Sequence, residues 1–324
     1  MPGHVPTDAD IARIKRAVDA VPTVHAAVLD WYAENGRDLA FRRTTDPWAI
    51  LVSEVMAQQT QAERAADAWL RFMAEFPTVD ALAAASPAMV IRAWRGLGYN
   101  RRALALRAAA IEIVEQHGGA VPSDLEALVS LPGTGPYTAR AVLAIAFGNP
   151  VAALDVNIRR VLGRAFLDPD APAHQLQADA DALVPIDRAT AWTHALMDIG
   201  AAFCRPREPR CDVCPLQAMC RYAQAQARGR GSRISMTSTK RDAESEPPPL
   251  RKPSTPFPAT TRWLRGRIMD RLRDAPDGAW TTFDGAIGAH DTDAVRTALA
   301  RLSSEGMIEL DGGRARLEAG GAQG

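Results

Sequence analysis

Lysine is almost missing from this 324-residue chain. Lys15, Lys240 and Lys252 are the only three, so arginine carries nearly all the positive charge. No amine side chain lies between Lys15 and Lys240, which argues against Schiff-base chemistry anywhere in the middle of the chain; the N-terminal amine is the one other candidate. Net charge is missing as well: 38 basic residues balance 38 acidic ones, so no global field announces a polyanionic partner, although a local basic stripe remains possible. The first residues are polar and mixed in charge and do not read as a secretion signal. The longest apolar run, Ala139 to Leu154, is broken by Gly148-Asn149-Pro150 and is too short to span a bilayer. These absences lead us to expect a cytoplasmic protein with no membrane partner. Cysteine is scarce too, and all four residues fall between 204 and 220.

What is present is helical. Apolar positions recur at helical spacing over Val24–Asn35, Pro47–Gln59, Gln61–Phe76, Pro87–Gly96, Arg101–His117, Ser123–Ser130, Pro136–Phe147 and Asn157–Ala165, and several of these stretches open on a cap or a first-turn proline. The expected organisation is an N-terminal extension over 1–23, an all-α core over 24–223, a disordered Pro/Ser/Arg-rich linker over 224–257 and a small domain over 258–324. In the last part, helices are expected over Thr261–Arg273, Thr282–Gly288 and Thr292–Glu305. They precede an alternating stretch around Asp311-Gly312-Gly313 that signals a hairpin. Three helices and a hairpin make a winged helix-turn-helix, with Arg296 and Arg301 offered to DNA.

Cys204, Cys211, Cys214 and Cys220 are spaced C-x6-C-x2-C-x5-C. In a reducing compartment such a cluster reads as metal ligands rather than disulfides. Spacing alone leaves zinc and an iron–sulfur cluster open. Arg205, Arg207, Arg210 and Arg221 surround the cysteines and could meet phosphates or simply be solvated.

Leu131-Pro132-Gly133-Thr134-Gly135 is a glycine-rich turn that opens a helix at Pro136, a place where free N–H groups can receive a phosphate. Asp155, twenty residues after Gly135, precedes a helix and reads either as its N-cap or as a catalytic carboxylate. Glu54 sits among Val52, Val55 and Met56; if buried there, its pKa would be raised toward that of a general acid.

Together, LPGTG, the Asp that follows it and the cysteine spacing resemble the helix-hairpin-helix DNA glycosylases of the endonuclease III superfamily. The stretches "SEVMAQQTQ", "WRGLGYNRRA" and "ALMDIGAAFC" look most like the MutY-type adenine glycosylase branch. "RDLAFR" resembles that branch's R-x-L-P-W-R but carries Ala40 and Phe41 where Pro and Trp are usual. The resemblance implies a [4Fe-4S] cluster on the four cysteines. It implies that Glu54 protonates the departing adenine, that Asp155 stabilises the sugar cation and that Asn157 assists Asp155. Tyr137 stands where strand-cleaving relatives carry a nucleophilic lysine. Gln59 and Leu97 match residues that wedge into the base stack, and Arg37, Leu39, Arg42 and Asp198 match the lining of an adenine pocket. Gly133 and Gly135 would donate N–H groups to phosphate, and Gln58, Thr60, Gly98, Tyr99 and Leu131 belong to the same DNA-facing stretches. Val156 replaces the glycine usual after the catalytic Asp.

The implied activity is monofunctional removal of adenine opposite 8-oxoguanine or guanine, by a monomer that flips the base out of duplex DNA in the nucleoid. Residues 258–320 do not resemble the Nudix-like domain that reads 8-oxoguanine in this branch. Two rivals stay open: a glycosylase of the same fold for thymine or uracil opposite guanine, and a non-catalytic DNA-binding protein.

Overall fold

The computed structural model describes residues 8–168, 170–229 and 256–318, with side chains described from residue 21 onward. Helix α1 runs from Asp8 to Asn35, so the helix expected from Val24 is the second part of a longer one that enters the presumed N-terminal extension. A 3-10 turn at Ala40–Arg43 leads to α2 (Pro47–Ala57), α3 (Ala62–Glu75), α4 (Val79–Ala84), α5 (Pro87–Ala93) and α6 (Arg101–His117). Then follow α7 (Leu125–Ser130), α8 (Pro136–Ala146), α9 (Val156–Ala165), α10 (Ala173–Asp181), α11 (Ala189–Ala202) and α12 (Arg221–Ala227). Asp46 caps α2 at two N–H groups with Pro47 in the first position; Ser86, ahead of Pro87, and Asp124 cap α5 and α7 at one N–H each.

Two hydrophobic cores build the helical part. The first gathers Trp48, Leu51, Met56, Phe72, Trp94, Leu106 and Leu128, from α2, α3 and α5 to α7, against α8. The second gathers Val28, Ile158, Leu162, Trp192 and Ile199 from α1, α9 and α11. Helix α8 belongs to both: Val142 and Leu143 face the first core, while Ala144 joins the second. The seam between the halves therefore lies along α8, where the candidate catalytic residues converge.

The C-terminal unit contains α13 (Thr261–Asp274), β1 (Thr281–Thr282), α14 (Thr292–Ser304), β2 (Ile308–Asp311) and β3 (Arg314–Leu317). The sheet order is β1-β3-β2, all antiparallel. The expected helix over Thr282–Gly288 is not formed. Thr281 and Thr282 pair with β3 instead, and Gly288 (φ +60) sits where a Cβ would come within 2.8 Å of the Trp263 ring. The hairpin expected at Asp311-Gly312-Gly313 is present, with both glycines at positive φ. Of the expected linker, α12 and the turn at Phe257–Ala259 occupy the two ends; residues 230–255 lie outside the described residues.

This unit is docked on the core rather than separate from it. Ala88 and Ile91 of α5 enter its hydrophobic cluster, and the Ala88 amide donates to the Glu318 carbonyl. The Arg273 side chain, 8% exposed, donates from Nε to the Ile91 carbonyl (3.1 Å) and from a terminal nitrogen to Asn100 Oδ1 (2.7 Å). Arg92 donates back to the Ala275 carbonyl at 3.1 Å. Arg273→Met keeps the bulk but leaves two acceptors unpaired. It should cost about 2 kcal/mol and should loosen α13 first, measured as loss of amide hydrogen-exchange protection there.

Candidate active site

Glu54 lies on α2 with 8% of its surface exposed, surrounded by the first core. The Tyr137 phenol, on the first turn of α8, is hydrogen-bonded to its carboxyl. Burial raises the Glu54 pKa to about 7; Tyr137 and the Arg42 guanidinium pull it down and the Asp155 charge pushes it up. Burial and the neighbouring carboxyls drive the Tyr137 phenol well above its ordinary range, so it stays a proton donor.

Asp155 is the N-cap of α9, and both readings of it meet at one atom group. One oxygen accepts from the amides of Asn157 (2.8 Å) and Ile158 (2.6 Å), and the other accepts from Asn157 Nδ2 (2.9 Å). Asn157 is itself held: Arg160 donates to its Oδ1 at 2.7 Å and to the Gly200 carbonyl at 2.9 Å. Gly200 is required there, because a Cβ would stand 2.7 Å from the Cβ of Asn157. Arg160 Nε also donates to the Cys204 carbonyl, so a continuous hydrogen-bond chain runs from Asp155 to the cysteine loop. Val156, in the place of the usual glycine, points its side chain into solvent and does not disturb the cap.

The expected adenine-pocket residues form one buried knot. Asp198, 2% exposed, receives Arg42 at 2.8 and 2.9 Å, Arg37 Nε at 2.7 Å and the Arg37 amide at 3.0 Å. Burial would raise Asp198, but these bonds and charges hold it below its usual value. The Asp198 carboxylate thus orders the two arginines. Sequence reasoning missed His194 beside it, whose pKa falls to about 3 through burial and the charge of Arg42. It also missed Tyr32, whose ring lies 5.9 Å from the Arg42 guanidinium. Leu39 and Phe41 are buried, Phe41 against Trp69.

The turns expected to face DNA are tied to α2 and α8. Gln58 Nε2 donates to the Gly133 carbonyl (3.4 Å) and to Thr138 Oγ1 (3.3 Å), joining α2 to the hairpin. Gly133 has φ +78, and a Cβ would meet Ala105 at 2.9 Å; Leu131 is buried beneath the turn, while Gly133 and Gly135 are exposed. Gln59 (φ 53) and Tyr99 (φ 46) take left-handed backbone and stand exposed. Leu97, expected as a wedge, is only 6% exposed and packs into the core; Tyr99 is the apolar group that this turn presents, at 50%. Arg102 was also missed. Its guanidinium donates to the carbonyls of Val55, Met56, Gln58, Leu97 and Gly98 and to Thr60 Oγ1, so one side chain holds both turns.

The four cysteines line one cavity together with Arg164, Phe203 and Tyr222, and none is in a disulfide. Arg164 approaches Cys204 Sγ at 3.5 Å and anchors the loop through the Arg205 carbonyl at 2.7 Å. Burial raises the thiols of Cys211, Cys214 and Cys220, Cys214 to about 11, while backbone N–H groups of Leu216, Tyr222 and Ala223 oppose the shift at Cys214 and Cys220. Among the described residues no group of three or more His, Cys, Asp or Glu is placed around a single metal ion. Four sulfurs with N–H donors and an arginine around them suit a thiolate-bound cluster. Arg205, Arg207 and Arg210 are exposed, whereas Arg221 is turned back to the Leu167 carbonyl.

Among the described residues no helix is long and apolar enough to cross a membrane.

Comparison with known proteins agrees with this arrangement. Residues 52–185 match the HhH-GPD superfamily of base excision DNA repair proteins. An adenine DNA glycosylase of Mycolicibacterium smegmatis is 37% identical over 286 residues, covering 87% of this chain and 91% of that protein. One from Mycobacterium tuberculosis is 40% identical over 299 residues, covering 88% and 92%. The solved structure of a thermostable thymine-DNA glycosylase superposes with a TM-score of 0.60 at 28% identity, over 64% of this chain and 98% of that one.

A carboxyl raised on folding supports the fold fully below its ordinary value of 4.5 and loses that support as the pH climbs through about 7. Between about pH 5 and about pH 8 the native protein should therefore lose about 2–3 kcal/mol more stability than Glu54→Gln. Urea unfolding at the two pH values measures the difference.

Proposed function

The chain belongs to the HhH-GPD superfamily of base excision DNA repair proteins, in the branch of the adenine DNA glycosylases, and on that premise we propose that it excises adenine mispaired with 8-oxoguanine or guanine by monofunctional hydrolysis. The observation that carries this reading is the buried Glu54 carboxyl, raised to about 7 and hydrogen-bonded to Tyr137, with the charge of Asp155 acting on it.

Near neutrality Glu54 holds a proton that it can give to N7 of an extruded adenine, turning a poor leaving group into a neutral one. As the C1′–N9 bond breaks, the sugar becomes cationic, and the Asp155 carboxylate, oriented by three N–H donors, faces that charge. Water then adds to C1′, and the carboxylate left on Glu54 takes its proton, which restores the acid and leaves an abasic sugar. Tyr137 keeps Glu54 in place and cannot form a Schiff base. Gln59 and Tyr99, both exposed, would fill the vacated stack, and the exposed Gly133 and Gly135 amides would meet a phosphate. Cys204, Cys211, Cys214 and Cys220 would hold a [4Fe-4S] cluster. Bound there, it would pin the 204–220 loop and, through the Cys204 carbonyl and Arg160, the cap of α9. We place the protein as a monomer on duplex DNA in the cytoplasm, at the nucleoid.

Single-turnover base release on a duplex panel tests the reading: adenine opposite 8-oxoguanine, guanine or cytosine, and thymine or uracil opposite guanine, each with and without alkali. Adenine should be released, with strand cleavage only after alkali. Release of thymine or uracil alone would move the protein to mismatch repair of another base, and no release at all would favour a binding protein. Glu54→Gln should lower release by about 10²–10⁴-fold while mispair binding survives. The native rate should fall as pH rises above about 7. Iron and acid-labile sulfide analysis should give about four of each per chain; Cys214→Ser should lower both and destabilise α9, read by hydrogen exchange.

A further inference from the structure

A groove of about 870 Å³ runs between the core and the C-terminal unit. On the core side it is walled by the turns bearing Gln59 and Tyr99, with Arg64 and Arg101; on the other side by Arg262 and Trp263 of α13. Most arginines near it are spoken for. Arg265 is paired with Glu305, and Arg101 stands 3.8 Å from the same carboxylate; Arg267 is paired with Asp270. Arg262 differs. It is exposed, it lies over the Tyr99 ring at 4.9 Å, and among the described residues no carboxylate pairs with it. On α14, the helix that the sequence pattern offers for DNA contact, Arg296 is paired with Asp293 at 2.8 Å, while Arg301 is exposed and among the described residues no carboxylate pairs with it.

We propose that this groove holds duplex DNA, with Arg262 on a backbone phosphate of the strand opposite the extruded nucleotide. The inference rests on the adenine glycosylase reading. Gln58 ties the α2 end to the hairpin and Thr138, on the side of Glu54. Gln59 and Tyr99 form the ridge next to it and line the groove on the other side. A strand whose nucleotide enters the pocket runs along the hairpin side, so the complementary strand lies across the ridge, where Arg262 is unneutralised. Charge and continuity with the ridge both select a polyanion there. The Arg273 anchors make the contact preformed rather than tethered.

The test uses the full chain in a Glu54→Gln background, so that substrate persists, and a short duplex with one adenine·8-oxoguanine pair. Arg262→Glu should raise the dissociation constant roughly tenfold, and Arg262→Ala should flatten the log–log salt dependence by about 0.9. Uncharged methylphosphonate linkages around the mispair in the opposite strand should weaken the parent but add nothing to Arg262→Ala. In the adenine strand they should weaken both alike. Unchanged binding by Arg262→Glu, an equal loss in Arg296→Glu, or non-additivity on the adenine strand instead overturns the assignment. Hydrogen exchange of α13 checks that each variant keeps the unit docked. If the native enzyme releases no adenine and the parent shows no preference for the mispair, the adenine reading fails, and the groove's assignment with it. If the native enzyme releases adenine and Arg262 proves indifferent, only the groove assignment fails.

Discussion

A carboxyl group kept out of water is the constraint around which the helical part is organised. Glu54 occupies a position on α2 where Leu51, Val52, Val55 and Met56 are all buried, so the helix cannot rotate to wet it without exposing the core. The desolvation cost is large unless the group is neutral, and the fold accepts a carboxyl that keeps its proton up to about pH 7 rather than supplying a full counterion. Arg42 is near enough to be felt but is committed to Asp198 by two short bonds. Had Arg42 been free to pair with Glu54, the carboxyl would ionise and lose the proton that the proposed chemistry uses. The Asp198 knot therefore does more than line a pocket: it holds positive charge away from the acid.

The second carboxylate is handled in the opposite way. Asp155 sits at a helix N-terminus, in a cap geometry that directs three N–H groups at it, and Asn157 and Arg160 extend the support to Gly200 and Cys204. Two acids are thus given different surroundings by the two halves of the fold, apolar core for one and helix end for the other, and α8 brings them together through Tyr137. Arg102 plays the matching role on the DNA side. Left-handed residues such as Gln59 and Tyr99 are costly in isolation. A guanidinium bonded to carbonyls on both sides of the ridge offsets that cost and fixes one turn relative to the other.

How much of this was legible beforehand follows from what kind of signal each feature leaves. Helix spans leave a period, and Arg101–His117 could be read to the residue because a left-handed Gly118 ends it. Glu54 and Asp155 were legible as carboxylates in the wrong or the special place, one in an apolar run and one at a helix start. The hairpin at Gly312-Gly313 was legible from turn chemistry. Thr282–Gly288 was misread because a short stretch with Phe283 and Ile287 at helical spacing also fits a strand end and a loop, and only the partner strand β3 decides. Leu97 carries a role only through the resemblance, and its burial at 6% exposure was not legible because a motif match does not say which way a side chain on a glycine-flanked turn points. Arg102, His194 and Tyr32 leave no local signal at all: their roles exist only once distant segments meet.

The docked C-terminal unit makes the same point at larger scale. A polar segment before it suggests independence, and the net charge of zero suggests indifference to DNA. Independence does not survive the interface, where Ile91 shares the unit's hydrophobic cluster and Arg273 is buried against core carbonyls. Charge balance over a chain says nothing about where cations are left unpaired. Here Glu305 and Asp270 neutralise their neighbours, so the balance is struck locally in the middle of α13 and leaves Arg262 in its first turn and Arg271 in its last without a carboxylate. Arg262 falls beside Tyr99, at the edge of the ridge that the core presents. A rigid mount converts one unpaired arginine into a positioned one, because the entropy of placing it relative to the ridge has already been lost on folding.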